Sequence, residues 1–350
     1  MSWKMPSETA PQERIWMAFP PLGASISATP QSAHVARLAW SAVAHAILDF
    51  EPVTMVVDPI DREAARQYLS QAVEIVEAPL DDAWMRDIGP TFVRDEAGRL
   101  GAVDWVFNGW GGQDWARWTN DRHLGATVGG LAGAEVIASN LVNEGGGIQV
   151  DGQGTVLVTE TVQLDPGRNP ELDKAAVEAE LARTIGAEHV IWLPCGLTRD
   201  SERFGTRGHV DIVAAISAPG RLLVHSQSDR SHPDARVTQE IMAVLRDSHD
   251  VDGKPWEIVE VPAPRVLRDD EGWVDYSYIN HLVVNDGVIC CSFDDPNDAT
   301  AHDILADAYP GRQVVSVDAR EIFARGGGIH CITQQQPASC RVLGSPRAGG

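Results

Sequence analysis

A chain of 350 residues, 43% hydrophobic and 22% charged, has the composition of a globular protein able to bury a substantial core. Its net charge of −22, from 28 basic and 50 acidic residues, repels nucleic acid and anionic membranes and draws in small cations. The five cysteines are odd in number and form no Cys-x-x-Cys pair, which argues against a disulfide framework or a zinc finger.

No stretch reaches the apolar length of a membrane span, and the polar segment 1–14 carries no signal-peptide pattern. Together with the cysteine usage, this points to a reducing cytoplasm. In chain order, a strand is expected over 14–19 with no helix of its own before it. A helix over 33–49 leads to a strand over 53–57, and a helix over 62–70 leads to a strand over 73–78. The loop 84–90 and a hairpin turning at 96–98 follow. The second unit has a helix over 124–131, a strand over 135–138, the loop 143–147 and a hairpin turning at 151–154.

The third unit has a helix over 171–185, a strand over 189–193 and paired strands over 210–217 and 222–226. The fourth has a helix over 234–245, a strand over 257–261 and a hairpin turning at 285–287. The fifth has a helix over 299–308, a strand over 313–318 and the loop 326–328 leading into a strand over 329–333. Asp-Gly, Asn-Asp-Gly and Pro-Gly between alternating apolar runs are the hairpin signals.

Five units with a period of roughly 50–70 residues predict an α/β chain closed into a radial repeat. The early strand would pair into the last unit, and each unit would send one polar loop toward a shared centre. An open mixed sheet is the alternative. A single domain over 1–340 is expected, with a flexible tail at 341–350.

Those loops carry one cysteine, one histidine and three carboxylates: Asp87, Glu144, His209, Asp211 and Cys331. A cysteine and a histidine far apart in sequence are a candidate pair for nucleophilic catalysis, because only the thiolate is a good nucleophile and an imidazolium favours it. His209 and Asp211, two apart on the expected strand, would face the same way. Asp87 and Asp211 on opposite walls could clamp a planar guanidinium and leave its carbon open to Cys331. The triglycines 145–147 and 326–328 lack the spacing of a phosphate loop.

Several segments resemble motifs of the agmatine deiminase family. They are Trp84-Met85-Arg86-Asp87-Ile88-Gly89-Pro90, Asn108-Gly109-Trp110-Gly111-Gly112, Glu144-Gly145-Gly146, Gly208-His209-Val210-Asp211 and Gly327-Gly328-Ile329-His330-Cys331-Ile332-Thr333-Gln334-Gln335-Gln336-Pro337. The likeness runs in order from about Arg14 to Pro337. It implies the five-bladed α/β propeller of the guanidine-modifying, peptidylarginine deiminase-like superfamily (the pentein fold), with no metal and no organic cofactor. It makes Cys331 the nucleophile, His209 the general acid/base, Asp87 and Asp211 the guanidinium clamps, and Glu144 the carboxylate beside His209. Trp84, Trp110, Arg207 and Gly328 are the expected substrate contacts. The implied partner is a small guanidine, agmatine in the family, hydrolysed to N-carbamoylputrescine and ammonia through a thiouronium adduct. A homodimer is a possible assembly.

The segment Arg203-Phe204-Gly205-Thr206-Arg207 departs from the family, which usually carries acidic or amide residues there, and Gly147 and Gln149 stand where serine and histidine are frequent. A basic Arg207 inside the pocket would suit a carboxylate tail better than an amine. The alternatives left open are a guanidino acid or neutral-tailed guanidine as substrate, an amidinotransferase, and a catalytically silent scaffold.

Overall fold

The computed structural model describes residues 2–339, so the tail expected at 341–350 lies outside the described residues. Among them, five sheets share one connectivity: an antiparallel hairpin, then a strand that joins parallel after a helical crossover. The first is Thr91–Asp95, Leu100–Val106 and Glu135–Val142, with Trp3–Lys4 added antiparallel to Thr91–Asp95 at its edge. The second is Gln149–Val150, Thr155–Thr159 and His189–Leu193. Ala214–Ala218, Arg221–Ser226 and Glu257–Pro262 form the third. Leu282–Val284, Gly287–Ser292 and Gln313–Asp318 form the fourth.

The fifth sheet draws its hairpin from both ends of the chain. Thr333–Pro337 lies antiparallel to Gln12–Ala18 with Gln335 opposite Ile15, and Gln12–Ala18 lies parallel to Val53–Val57. The orphan early strand therefore pairs with the last unit, as the pattern predicted. Chain closure of this kind sets Glu8 and Cys331 on neighbouring segments.

Local chemistry explains how one long helix comes to support the loop that carries Asp87. Thr29 caps Pro30–Leu48 by accepting from the Ser32 amide, and Pro30 occupies a first-turn position whose missing N–H costs nothing. Ala33, Ala36, Trp40, Val43, Ala44 and Ile47 form its buried stripe, each large side chain contributing about 1.5–3 kcal/mol of burial. Trp40 donates to the Ala83 carbonyl at 3.3 Å and meets Trp84 edge-on at 5.5 Å. The helix thus fixes the turn Met85–Ile88, which carries Asp87.

Two expected strands are corrected. The segment after His209 is a 3-10 turn, Val210–Ile212, and the strand begins only at Ala214. A ladder is not needed there, because the Asp211 carbonyl accepts from the Asn280 side chain at 3.3 Å and Val213 N–H bonds back to Val210. Residues 329–332 likewise form a turn, and the strand is Thr333–Pro337. Asn280 Oδ1 takes the His330 N–H at 3.0 Å, and Thr333 caps the turn through the Ile329 carbonyl. No described helix is long and apolar enough to cross a membrane.

Candidate active site

Cys331 ends the 326–331 loop with 6% of its surface exposed. Its Sγ lies 3.2 Å from Asn280 Nδ2 and 3.5 Å from Asp211 Oδ2, to which a thiol can donate. Burial pushes the thiol pKa well above its ordinary value, and the charges of Asp211 and Asp87 push it further. A Gly328 backbone N–H and the Asn280 amide pull the other way without reversing the balance. The resting group is a neutral thiol.

Three side chains converge opposite it around Gly146. A Cβ at that position would stand 2.5 Å from His209 Nδ1 and 3.1 Å from both Asp87 Oδ1 and Asp211 Oδ2, so only glycine leaves the centre open. Asp87 accepts from Trp110 Nε1 at 2.9 Å and from the Gly146 amide at 3.2 Å. Burial pushes its pKa up to about 6 against the pull of His209. Asp211 falls below the usual carboxylate range: burial opposes ionisation, but the hydrogen bond and charge of His330 outweigh it.

His209 reaches the centre because of a tightly folded loop. Asp200 accepts from Thr206 N–H at 2.8 Å, the Thr206 hydroxyl at 2.6 Å and His209 N–H at 2.9 Å. Gly208 takes φ +107 against the Gly196 backbone, a conformation and a spacing that exclude a side chain. His209 Nε2 lies 3.2 Å from Glu144 Oε2, and Arg168 Nε contacts both Glu144 oxygens at 3.0 and 3.1 Å.

Burial disfavours the imidazolium of His209, yet the charges of Asp87, Glu144 and Asp211 overcome it and raise the pKa to about 9. At neutral pH the ring is protonated. Its Nδ1 and the Asp211 Oδ1 are both buried and without a hydrogen-bond partner among the described residues. Unpartnered buried groups are costly, and here a donor and an acceptor face one small space.

A second layer braces this centre. His330 places Nδ1 2.8 Å from Asp211 Oδ2 and Nε2 2.8 Å from Glu8 Oε1. Carboxylates only accept, so the ring between them is an imidazolium donating at both ends. Its pKa is raised accordingly: burial and Arg86 oppose the charge, while Glu8 and Asp211 prevail. Arg86 Nε donates to the His330 carbonyl at 3.2 Å.

Two small cavities flank the thiol. One of about 20 Å³ is lined by Trp84, Asp87, Trp110, Trp115, Phe204 and Cys331, among others. The other, about 10 Å³, adjoins His209, Asp211, Asp275 and Cys331. The structure therefore brings together Cys331, His209, Asp87, Asp211 and Glu144, with Trp84 and Trp110 on one wall. Gly328 contributes its backbone to the thiol, while its α-carbon packs against Asn280 and Phe323. Arg207 is not brought in: it lines neither cavity, and its guanidinium lies over the Ser201 carbonyl at 3.4 Å.

Sequence reasoning did not single out Glu8, Asn280 or Arg168 as parts of the site. Glu8 lies in the polar N-terminal segment and Arg168 in a turn, where local pattern carries no signal. Among the described residues no group of three or more His, Cys, Asp or Glu is arranged to hold a metal ion.

A Streptomyces coelicolor protein provisionally named an agmatine deiminase is 56% identical over 338 residues, 96% of this chain and 99% of its own. The agmatine deiminase of Pseudomonas putida is 39% identical over 360 residues, covering 95% of each chain. The solved agmatine deiminase of Enterococcus faecalis superposes with a TM-score of 0.90 at 33% identity, covering 96% of both chains. The family model of Porphyromonas-type peptidyl-arginine deiminases matches residues 4–337, and the chain belongs to that family.

Proposed function

We propose that this protein hydrolyses agmatine to N-carbamoylputrescine and ammonia through a covalent adduct on Cys331. The observation that carries the reading is the meeting of a buried thiol, two carboxylates and a protonated His209–Glu144 pair around Gly146. The relatives named agmatine deiminase support agmatine as the guanidine. On this reading the five sheets are the blades of a propeller, and the site is its hub.

The chemistry follows from the charges. A guanidinium held between Asp87 and Asp211 replaces their repulsion of the thiolate with attraction, so Cys331 loses its proton once substrate is bound. The thiolate adds to the guanidinium carbon, forming a C–S bond and a tetrahedral centre. His209 Nδ1–H donates its proton to the departing amine, and ammonia leaves a thiouronium. The neutral His209 then takes a proton from water as that water adds to the same carbon. The C–S bond breaks as the hydroxyl proton of that adduct passes to the departing sulfur, releasing the ureido product and the resting thiol. Glu144 holds the ring through Nε2, which leaves Nδ1 for both transfers.

The test is ammonia and N-carbamoylputrescine release from agmatine, with and without an added amine. Stoichiometric ammonia is expected. A new guanidine on the added amine, without ammonia, would make the protein an amidinotransferase and overturn the proposal.

A further inference from the structure

The two catalytic cavities are too small for more than a guanidinium-sized group, so the tail of any substrate must leave across their rim. Beyond the rim lies a vestibule of about 390 Å³. Asp275, Phe323 and Gly326 line both the vestibule and the cavity beside His209 and Cys331. Trp115, Phe204 and Arg325 join Gly326 in lining both the vestibule and the Trp84 side. The tail passes between these residues.

Only two of the shared residues are charged, and they differ in what they still require. Arg325 is already occupied: Nε donates to the Ile26 carbonyl at 3.0 Å and Nη1 to the Glu321 carboxylate at 2.7 Å. Asp275 is 6% exposed, and its Oδ1 is buried with no hydrogen-bond partner among the described residues. A buried acceptor of this kind is costly unless a ligand supplies the donor. Burial and the charges of Asp200 and Asp234 push its pKa up to about 7, outweighing the charge of Arg199 and its own backbone N–H, which favour ionisation. Arg199 itself is committed to Asp269 at 2.5 Å and Glu271 at 2.9 Å, so Oδ1 stays unmet. A carboxylate tail would be repelled here, and a neutral tail would leave Oδ1 unmet. An ammonium completes it with a charge-assisted bond.

We propose that Asp275 receives the cationic end of the substrate tail and selects amine-ended guanidines over neutral or carboxylate-ended ones. The inference rests on the guanidine-hydrolase reading above. It assigns to Asp275, 66 residues beyond His209, the selection that the sequence suggested for Arg207.

The experiment measures kcat and KM of the full-length enzyme for agmatine, butylguanidine and 4-guanidinobutyrate. Wild type is compared with Asp275→Asn and Asp275→Ser, with thermal unfolding to check that each variant is folded. Wild type is expected to prefer agmatine over both other compounds. Either variant should lower the agmatine-to-butylguanidine ratio of kcat/KM by at least about tenfold, mainly through a higher agmatine KM. A ratio within about twofold of wild type, in folded and active variants, removes Asp275 from tail recognition and leaves the deiminase reading standing. A wild-type enzyme that releases ammonia from none of the three removes the deiminase reading, and this inference falls with it.

Discussion

Glu8 Oε1 stands 2.8 Å from His330 Nε2 although 322 residues separate the two in sequence. The contact exists because Gln12–Ala18, just after Glu8, pairs with Thr333–Pro337, just after His330, in one sheet. Burial works against the Glu8 charge, but the His330 imidazolium prevails and holds its pKa down to about 2. Through His330 the charge reaches Asp211, the carboxylate beside the thiol. Glu8 is thus a positioning residue for Asp211. In Glu8→Gln the amide oxygen can still accept the bond, but the charge is gone. We expect kcat to fall at least about tenfold and the His330 pKa to drop, read by NMR of the ring. An unchanged His330 titration would show that Glu8 does not act through it.

Asp87 and Asp211 should show opposite effects on the thiol and on turnover. Both raise the Cys331 pKa after burial has done so. Asp87→Asn and Asp211→Asn are therefore expected to lower it, seen as thiolate absorbance appearing at lower pH. Each should nevertheless cut kcat/KM by about a hundredfold or more, because an amide cannot neutralise the guanidinium. A variant with near-normal kinetics would place the clamp elsewhere.

The pH profile follows from proton counting. At pH 7 the free enzyme holds protons on both Cys331 and His209, since both pKa values are raised, the latter to about 9. Attack needs a thiolate with His209 still protonated, one proton fewer than at rest. For agmatine, kcat/KM should rise about tenfold per unit above pH 7 and level near the His209 value. A profile already flat from pH 6 to 8 would mean that the thiol is ionised in the free enzyme.

Cys331→Ser should abolish turnover in a folded protein, because a hydroxyl is far less ionised than a thiol. Mass spectrometry of wild type quenched during turnover should place the adduct on the peptide containing Cys331. An adduct on Cys195 would reject the assignment.

Arg168 and Glu144 form an ion pair in which neither side chain is exposed. Arg168 also donates to the Thr206 carbonyl at 2.6 Å, linking Glu144 to the His209 loop. Arg168→Met leaves a buried carboxylate without its main partner and should destabilise the fold by about 3–5 kcal/mol in denaturant unfolding. A change below about 1 kcal/mol would mean that water or another group replaces it.

Much of the architecture was legible because it is local. Asp151–Gly154 and Asn285–Gly287 turn hairpins through backbone conformations that glycine and short polar residues favour, and the Pro30–Leu48 stripe follows the helical period. The motif residues Asp87, Glu144, His209, Asp211 and Cys331 were legible as a set, since reactive groups recurred at equivalent loops of one repeat. The turns at Val210–Ile212 and 329–332 were misread as strands because their backbone donors and acceptors are satisfied by one distant side chain, Asn280. Tertiary structure alone brought Glu8 to His330 and Arg168 to Glu144, and it turned Arg207 away from the cavities that Asp275 lines. Periodicity and turn chemistry act over a few residues. Buried charges instead find their partners across the whole chain, wherever folding removes water and makes an unpaired charge costly.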